Sequence, residues 1–271
     1  MYISIIIPTR NRAKSLLRAL RSVEEGFEII VLDDASSPKN RVKNQKIAES
    51  GSFVYKYNLL REGAAKSRNI GALEASGEWL CFLDDDDQFA EEFFPKIQIL
   101  MRTHPKVGAW LPNVLGGAQR SKKIAKQNEI YKRNQVGGCS GLLIRKALFT
   151  DLGGFDEKLD SMQDWDLWIR LIKEELLHYT GSVGVIYDSS SAGKITHDLK
   201  AKYQGLRRLF LKHYPMWPGS AKRYHIARLW ALRQLLYMPS TGIYRCLVCC
   251  LSWPAAICYF IKWKKYLTKA N

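Results

Sequence analysis

Four adjacent carboxylates, Asp84-Asp85-Asp86-Asp87, follow directly on Trp79-Leu80-Cys81-Phe82-Leu83, an apolar stretch that reads as a buried strand. Like charges packed this closely repel one another, and a cation among them removes the repulsion, so the cluster reads as a metal site. An exposed acidic turn would carry the same residues. The position favours the metal, because open α/β sheets place their ligands beyond the carboxyl ends of their strands.

Two further stretches carry groups suited to chemistry. In Met162-Gln163-Asp164-Trp165-Asp166-Leu167-Trp168-Ile169-Arg170-Leu171-Ile172, Trp165, Trp168, Ile169 and Ile172 share one helical face and predict a core-packed helix with Asp164 at its start. A capping or first-turn aspartate is worth roughly 1 kcal/mol, and that role is compatible with proton transfer. In Arg61-Glu62-Gly63-Ala64-Ala65-Lys66-Ser67-Arg68-Asn69-Ile70-Gly71, the small residues predict a tightly packed helix from Ala64 to Ala75. Its N-terminal amides, with Lys66 and Arg68 nearby, suit a phosphate group; ordinary surface charge is the alternative.

The elements that must position these groups alternate. Ile3 to Ile7 is a β-branched strand ending in Pro8-Thr9-Arg10-Asn11, and a helix follows from about Lys14 to Val23. A second strand, Glu28 to Leu32, stops at Asp33-Asp34-Ala35-Ser36-Ser37-Pro38, where another helix begins near Asn40. Further strands are expected at Phe53 to Tyr57, at Trp79 to Leu83, around Val107 to Leu111 and at Leu142 to Ile144. Helices are expected from Ala90 to about Thr103 and, late in the chain, over Leu199 to Tyr214, Ser220 to Tyr237 and Gly242 to Leu267. Strand and helix in alternation predict an α/β fold with a mostly parallel central sheet, whose right-handed crossovers bring the carboxylates after strands one, two and four together. Gly116 to Asn134 is basic and aperiodic and reads as a mobile loop over the site, followed by the glycine-rich Gln135-Val136-Gly137-Gly138-Cys139-Ser140-Gly141.

Charge divides the chain. The 271 residues carry a formal net charge of +16, but Leu199 to Asn271 holds 14 Lys/Arg and no Asp or Glu, leaving residues 1–198 nearly neutral. That basic end also carries Trp217, Trp230, Trp253 and Trp263. Cations interleaved with amphipathic rings suit an anionic membrane surface, and aliphatic runs such as Leu247-Val248-Cys249-Cys250-Leu251 favour lipid over nucleic acid. Cys246 to Ile261 is free of formal charge and spans about 24 Å as a helix, short of a hydrocarbon core of roughly 30 Å, and Pro254 interrupts it. It is expected to lie on or dip into the membrane. The start, Met1-Tyr2-Ile3-Ser4, lacks the features of a secretory signal, so the expected location is the cytosol, peripherally on the inner face of the membrane. Reduced cysteines follow, with Cys246, Cys249, Cys250 and Cys258 as small apolar residues of a helix.

Five stretches taken together are similar to a known set. Ser4-Ile5-Ile6-Ile7-Pro8-Thr9-Arg10-Asn11, Leu32-Asp33-Asp34-Ala35-Ser36, Ala65-Lys66-Ser67-Arg68-Asn69-Ile70-Gly71, Leu83-Asp84-Asp85-Asp86-Asp87 and Gln163-Asp164-Trp165-Asp166-Leu167-Trp168 resemble, in order and spacing, the family 2 inverting glycosyltransferases of the GT-A fold. The resemblance covers roughly residues 1 to 200 and implies a catalytic domain over 1–198. The basic segment 199–271 resembles the membrane-associating tails of bacterial enzymes that build lipid-linked O-antigen or capsule units.

The resemblance implies roles for individual residues. Pro8, Thr9, Arg10, Asn11, Lys66, Arg68 and Asp85 would belong to the nucleotide-sugar site, with Asp34 on the uracil imide and Asp84 by the ribose. Asp86 would hold Mn²⁺ or Mg²⁺, with His197 near the metal and pyrophosphate, and Asp164 would be the general base, although Gln163 replaces the glutamate usual before it. It implies a UDP-sugar donor, a lipid-pyrophosphate-linked saccharide acceptor and a β-glycosidic product. Two other readings remain at this level: a nucleotidyl transferase on a similar fold, for which Pro8-Thr9-Arg10-Asn11 lacks phosphate-gripping glycines, and a non-enzymatic basic binder, which would leave Asp34, Asp84, Asp86 and Asp164 unused.

Overall fold

A computed structural model describes residues 2–51, 53–116, 130–174, 176–188 and 198–237. The chain runs β1 (Ile3–Thr9), α1 (Ala13–Arg21), β2 (Glu28–Asp34), α2 (Pro38–Ser50), β3 (Val54–Asn58), α3 (Ala64–Glu74), β4 (Trp79–Phe82), β5 (Gln88–Phe89), α4 (Phe93–Thr103), β6 (Ala109–Leu115) and β7 (Leu143–Arg145). It continues with α5 (Lys146–Asp151), α6 (Gln163–Lys173), β8 (Leu177–Ile186), α7 (Leu199–His213) and α8 (Gly219–Tyr237). One eight-stranded sheet has the order β3-β2-β1-β4-β7-β6-β8-β5.

The first half is the parallel sheet expected. β1 pairs in parallel with β2 and β4, and β2 with β3. After β3 the chain returns to the other side of β1, so a crevice opens beyond the carboxyl ends of β1 and β4, the place where such sheets bind ligands. The second half is mixed: β7 runs antiparallel to β4 and β6, β6 is parallel to β8, and two-residue β5 closes the edge against β8.

Alternation along the strands builds two cores. Ile6, Ile30, Leu32, Leu80 and Phe82 face one side, packed with Ala65 and Ala72 of α3, Trp165 and Trp168 of α6, Leu206, Leu209 and Phe210 of α7, and Ala221 of α8. Ile3, Ile5, Ile7, Val31, Cys81 and Leu83 face the other side, with Leu16 and Leu20 of α1 and Phe93, Phe94 and Ile97 of α4. Gly71 lets α3 sit close to the sheet, since a Cβ there would lie 2.5 Å from Ile6 Cγ2. The described part of the basic C-terminal segment thus packs its apolar face on the first core. Among the described residues no helix is long and apolar enough to cross a membrane. His197, the four late cysteines and the stretch from Gly242 to Leu267 lie outside the described residues, as do residues 117–129 of the basic loop.

Candidate active site

The end of β4 is shaped by a turn. The Asp87 N–H donates to the Asp84 carbonyl at 3.0 Å, the closing bond of a four-residue β-turn, so residues 84 and 87 approach each other. Carboxylate oxygens of Asp84, Asp86 and Asp87 lie within 4.8 Å of one another. Asp85 is apart from them: it is buried, accepts from Thr9 Oγ1 at 2.7 Å and from Arg12 Nη1 at 3.0 Å, and ties β1 to β4 across the crevice. Burial pushes Asp85 up to about 6 against the opposing pull of Thr9 and Arg12. Arg12 also reaches Asp86 at 3.2 Å.

An all-oxygen donor set of this kind fits a hard divalent cation such as Mg²⁺ or Mn²⁺. Two observations support the fit. Asp87 Oδ1 is buried with no hydrogen-bond partner among the described residues, and burial followed by the charge of Asp84 and then Asp86 raises the Asp87 carboxyl to about 7. Ser140 Oγ donates to the other Asp87 oxygen at 2.6 Å and works against that rise.

The loops after β1 and β2 are stitched together. The Asn11 N–H donates to Ser36 Oγ at 2.8 Å, and Asn11 Oδ1 accepts from the Ser37 N–H at 2.8 Å. Pro8 and Thr9 are buried and Arg10 and Asn11 exposed. Asp34 accepts from the backbone N–H of Glu62 at 2.7 Å and of Gly63 at 3.0 Å, so its carboxylate holds two amides just ahead of α3. Lys66 pairs with Glu62 at 2.7 Å on the surface. Arg68 is 5% exposed and ion-pairs with Asp84; its Nε and Nη1 are buried without partners among the described residues.

Asp164 is the second residue of α6. Met162 occupies the N-cap position with φ of +67° and no capping side chain, so Asp164 does not cap the helix; its Oδ1 accepts from the Trp165 N–H at 2.8 Å and its Oδ2 from Asn134 Nδ2 at 3.1 Å. Burial pushes its carboxyl up to about 6, helped by the Asp84 charge and opposed by the Trp165 N–H, Arg68 and Asn134. A base poised there is ionised at neutral pH yet retains affinity for a proton. Asp166, one turn-neighbour away, is fully buried and held far below the usual carboxylate range: burial opposes this, but His213 at 2.7 Å, Arg170 at 2.7 Å and Lys212 at 2.8 Å outweigh it.

The structure brings the expected Asp84, Asp86, Asp164 and Arg68 into one neighbourhood, whereas Asp34, Thr9 and Asp85, expected in the nucleotide-sugar site, hold the surrounding loops. The sequence reading missed Arg12, Ser140 and Asn134, and it held Asp87 within the acidic cluster without giving it a role of its own. Asp87 was legible in principle from turn geometry, whereas nothing local in the sequence marks Asn134. The three non-glycine residues with positive φ among the described residues, Asn11, Ala35 and Met162, all sit on the loops that carry these groups, where backbone strain characteristically collects.

Comparison with known proteins bears on the family and the fold. The family model for Glycosyl transferase family 2 matches residues 4–149, and that for Glycosyltransferase like family 2 matches residues 118–214. The uncharacterized glycosyltransferase YwdF of Bacillus subtilis is 30% identical over 229 residues, covering 79% of this chain and 84% of that protein. WcaA of Escherichia coli, whose name assigns it provisionally to colanic acid biosynthesis as a glycosyl transferase, is 26% identical over 254 residues, 85% of this chain and 88% of its own. An uncharacterized glycosyltransferase of Haemophilus influenzae is 30% identical over 190 residues, 64% of this chain, which spans only 62% of that relative. Among solved structures, Staphylococcus aureus TarS 1-349 in complex with UDP-GlcNAc has a TM-score of 0.64 at 19% identity, over 89% of this chain and 75% of that one, a likeness of fold. The architecture is that of the GT-A fold, and the chain belongs to glycosyltransferase family 2.

Proposed function

We propose that this sugar transferase moves a hexose or N-acetylhexosamine from a UDP-sugar to a lipid-linked saccharide in surface-polysaccharide synthesis, with inversion at the anomeric carbon. The observation that carries the reading is the meeting of three groups from separate elements. Asp164 of α6, raised to about 6, interacts electrostatically with Arg68 of α3 and Asp84 beyond β4.

Asp164 takes the proton of the acceptor hydroxyl as that oxygen attacks C1, and one displacement turns an α-linked donor into a β-glycoside. The buried Arg68 guanidinium meets the charge that develops on the departing diphosphate. Asp34 and the amides it orders frame the uracil pocket, while Pro8, Thr9 and the stitched Arg10-Asn11 loop wall the crevice. Asp84, Asp86 and Asp87 would hold a divalent cation, which when bound supplies Lewis-acid charge to the leaving diphosphate.

A UDP donor is supported by the UDP-GlcNAc and UDP complexes of TarS. A polysaccharide role is supported by the colanic acid assignment of WcaA. Peripheral attachment to an anionic membrane, close to a lipid-linked acceptor, is supported by the 14 Lys/Arg and absence of Asp or Glu from Leu199 to Asn271. The test is release of UDP from a panel of UDP-sugars offered with lipid-pyrophosphate-linked saccharides, with Mn²⁺ or with chelator. Release that needs both acceptor and cation supports the proposal, and cation-independent release would remove the metal from it.

A further inference from the structure

The helix that carries Asp164 also holds the end of the basic loop, from Ile130, and the glycine-rich stretch after it, and Asn134 there returns a hydrogen bond to Asp164. Trp165 Nε1 donates to the Ile130 carbonyl at 2.7 Å and Trp168 Nε1 to the Gly137 carbonyl at 2.8 Å. His225 of α8, kept neutral because burial and then Arg228 lower it to about 3, donates from Nε2 to the Tyr131 carbonyl at 2.8 Å. Ile130, Tyr131 and Val136 are buried.

Within this held segment Asn134 is fully committed. Its Nδ2 donates to Asp164 Oδ2 at 3.1 Å and to the Gly137 carbonyl at 3.2 Å, and its Oδ1 accepts from the N–H of Val136 at 3.1 Å and of Gly137 at 2.9 Å. Each amide hydrogen has an oxygen and the amide oxygen has two N–H donors, so turning the amide over would set like against like. The other Asp164 oxygen is fixed by the Trp165 N–H at 2.8 Å. Both carboxylate oxygens are thereby held from two directions, and each retains a lone pair.

We propose that Asn134 is a positioning residue of the transfer reaction, fixing the Asp164 carboxylate so that a free lone pair stays presented to the acceptor hydroxyl. This rests on Asp164 being the base. The groups that act on Asp164 are Arg68 from α3, Asp84 beyond β4, Cys139 from the glycine-rich segment and the Trp165 N–H of its own helix. Asn134 adds a neutral donor, which orients the carboxylate without pairing off its charge.

Asn134→Asp separates this role from a purely local one. The variant keeps the oxygen that accepts the Val136 and Gly137 amides but replaces the donor to Asp164 with a like charge, while the Gly137 carbonyl, losing its Asn134 donor, retains Trp168 Nε1. With UDP-GlcNAc as probe and Mn²⁺ saturating, the acidic limb of UDP release should move up by at least one pH unit and kcat at pH 7 should fall at least about twofold, with KM for UDP-GlcNAc unchanged. An unmoved limb with unmoved kcat overturns the proposal. A second measurement requires no Asn134→Asp protein: in wild type, the Asn134 side-chain amide resonance, assigned by its loss in Asn134→Ser, should titrate with the midpoint of the Asp164 carboxyl carbon. A flat amide resonance beside an inactive Asp164→Asn overturns the positioning role alone. Full UDP release by Asp164→Asn overturns the base assignment and the role of Asn134 with it.

Discussion

The buried Arg68 and the partly exposed Asp84 form an ion pair that joins α3 to the end of β4 while leaving two guanidinium nitrogens unused among the described residues. A planar cation already fixed by one carboxylate keeps its remaining N–H groups aimed without further ordering, which is how arginine meets phosphate oxygens. Arg68→Met should lower UDP affinity at least tenfold by calorimetry in the presence of Mn²⁺. It also leaves the partly exposed Asp84 carboxylate without its cation and should cost roughly 1–2 kcal/mol of stability. Arg68→Lys keeps the charge without the fork and should fall between. Equal UDP affinity in all three proteins would confine Arg68 to bracing the turn.

Asp87 predicts a proton linkage. With its carboxyl raised to about 7 by burial and by Asp84 and Asp86, a substantial fraction is protonated at neutral pH until a cation arrives. Binding of Mn²⁺ should therefore release a proton near pH 6.5, much less at pH 8.5, and affinity should rise with pH between them. Calorimetry in two buffers of different ionisation enthalpy measures the release directly. Asp86→Ala should abolish the heat of Mn²⁺ binding.

As the proposed base, Asp164 should set the pH dependence of turnover. A carboxyl near 6 must lose its proton before it can act, so the rate should rise tenfold per pH unit below about 6 and level off above it. Asp164→Asn should lower turnover by about 10² to 10⁴ at pH 7.5. Its melting temperature should move little, because relief of a buried charge opposes a mismatched amide facing the Trp165 N–H. Wild-type turnover in the Asn variant would mean that another group takes the proton.

The buried Asp166 hub should be felt in stability. Its folded-state pKa lies far below the ordinary value, so its contribution is complete above about pH 4 and is lost as pH falls from there. Asp166→Ala leaves His213 and Arg170 without their shared carboxylate and should cost roughly 3–5 kcal/mol. Urea unfolding at pH 7 and at pH 3 tests this: the gap between wild type and variant should be wide at the first and narrower at the second.

Much of this was legible beforehand, and the part that was not has identifiable causes. Continuous β-branched runs marked β1 and β2, and the small-residue helix α3 and the tryptophan face of α6 fell within a residue or two of their places. The two-residue β5 is too short to carry a period, and although β7 lies within a residue of the strand expected at Leu142 to Ile144, the antiparallel pairings of both arise from contacts distant in sequence. Within the aspartate run, four identical letters hide a turn: it brings residues 84 and 87 together and sends 85 to Thr9 and Arg12, a division that composition cannot express. Met162, not Asp164, stands at the helix entry because the chain arrives there in a left-handed conformation.

The two faces of the sheet carry unequal mutational burdens. Arg68 and Asp164 both ride on helices packed into the core that contains Ile6, Leu32 and Phe82, whereas α1 and α4 rest on the opposite core with Ile5, Ile7 and Leu83. A small loss of fit beneath α3 or α6 displaces a reacting group, and displacements of about 1 Å can cost 10²-fold in rate. The same loss beneath α1 or α4 leaves those groups where they were. Substitutions beneath α3 or α6 should thus reach turnover before they reach stability, while those beneath α1 or α4 should be felt in stability alone.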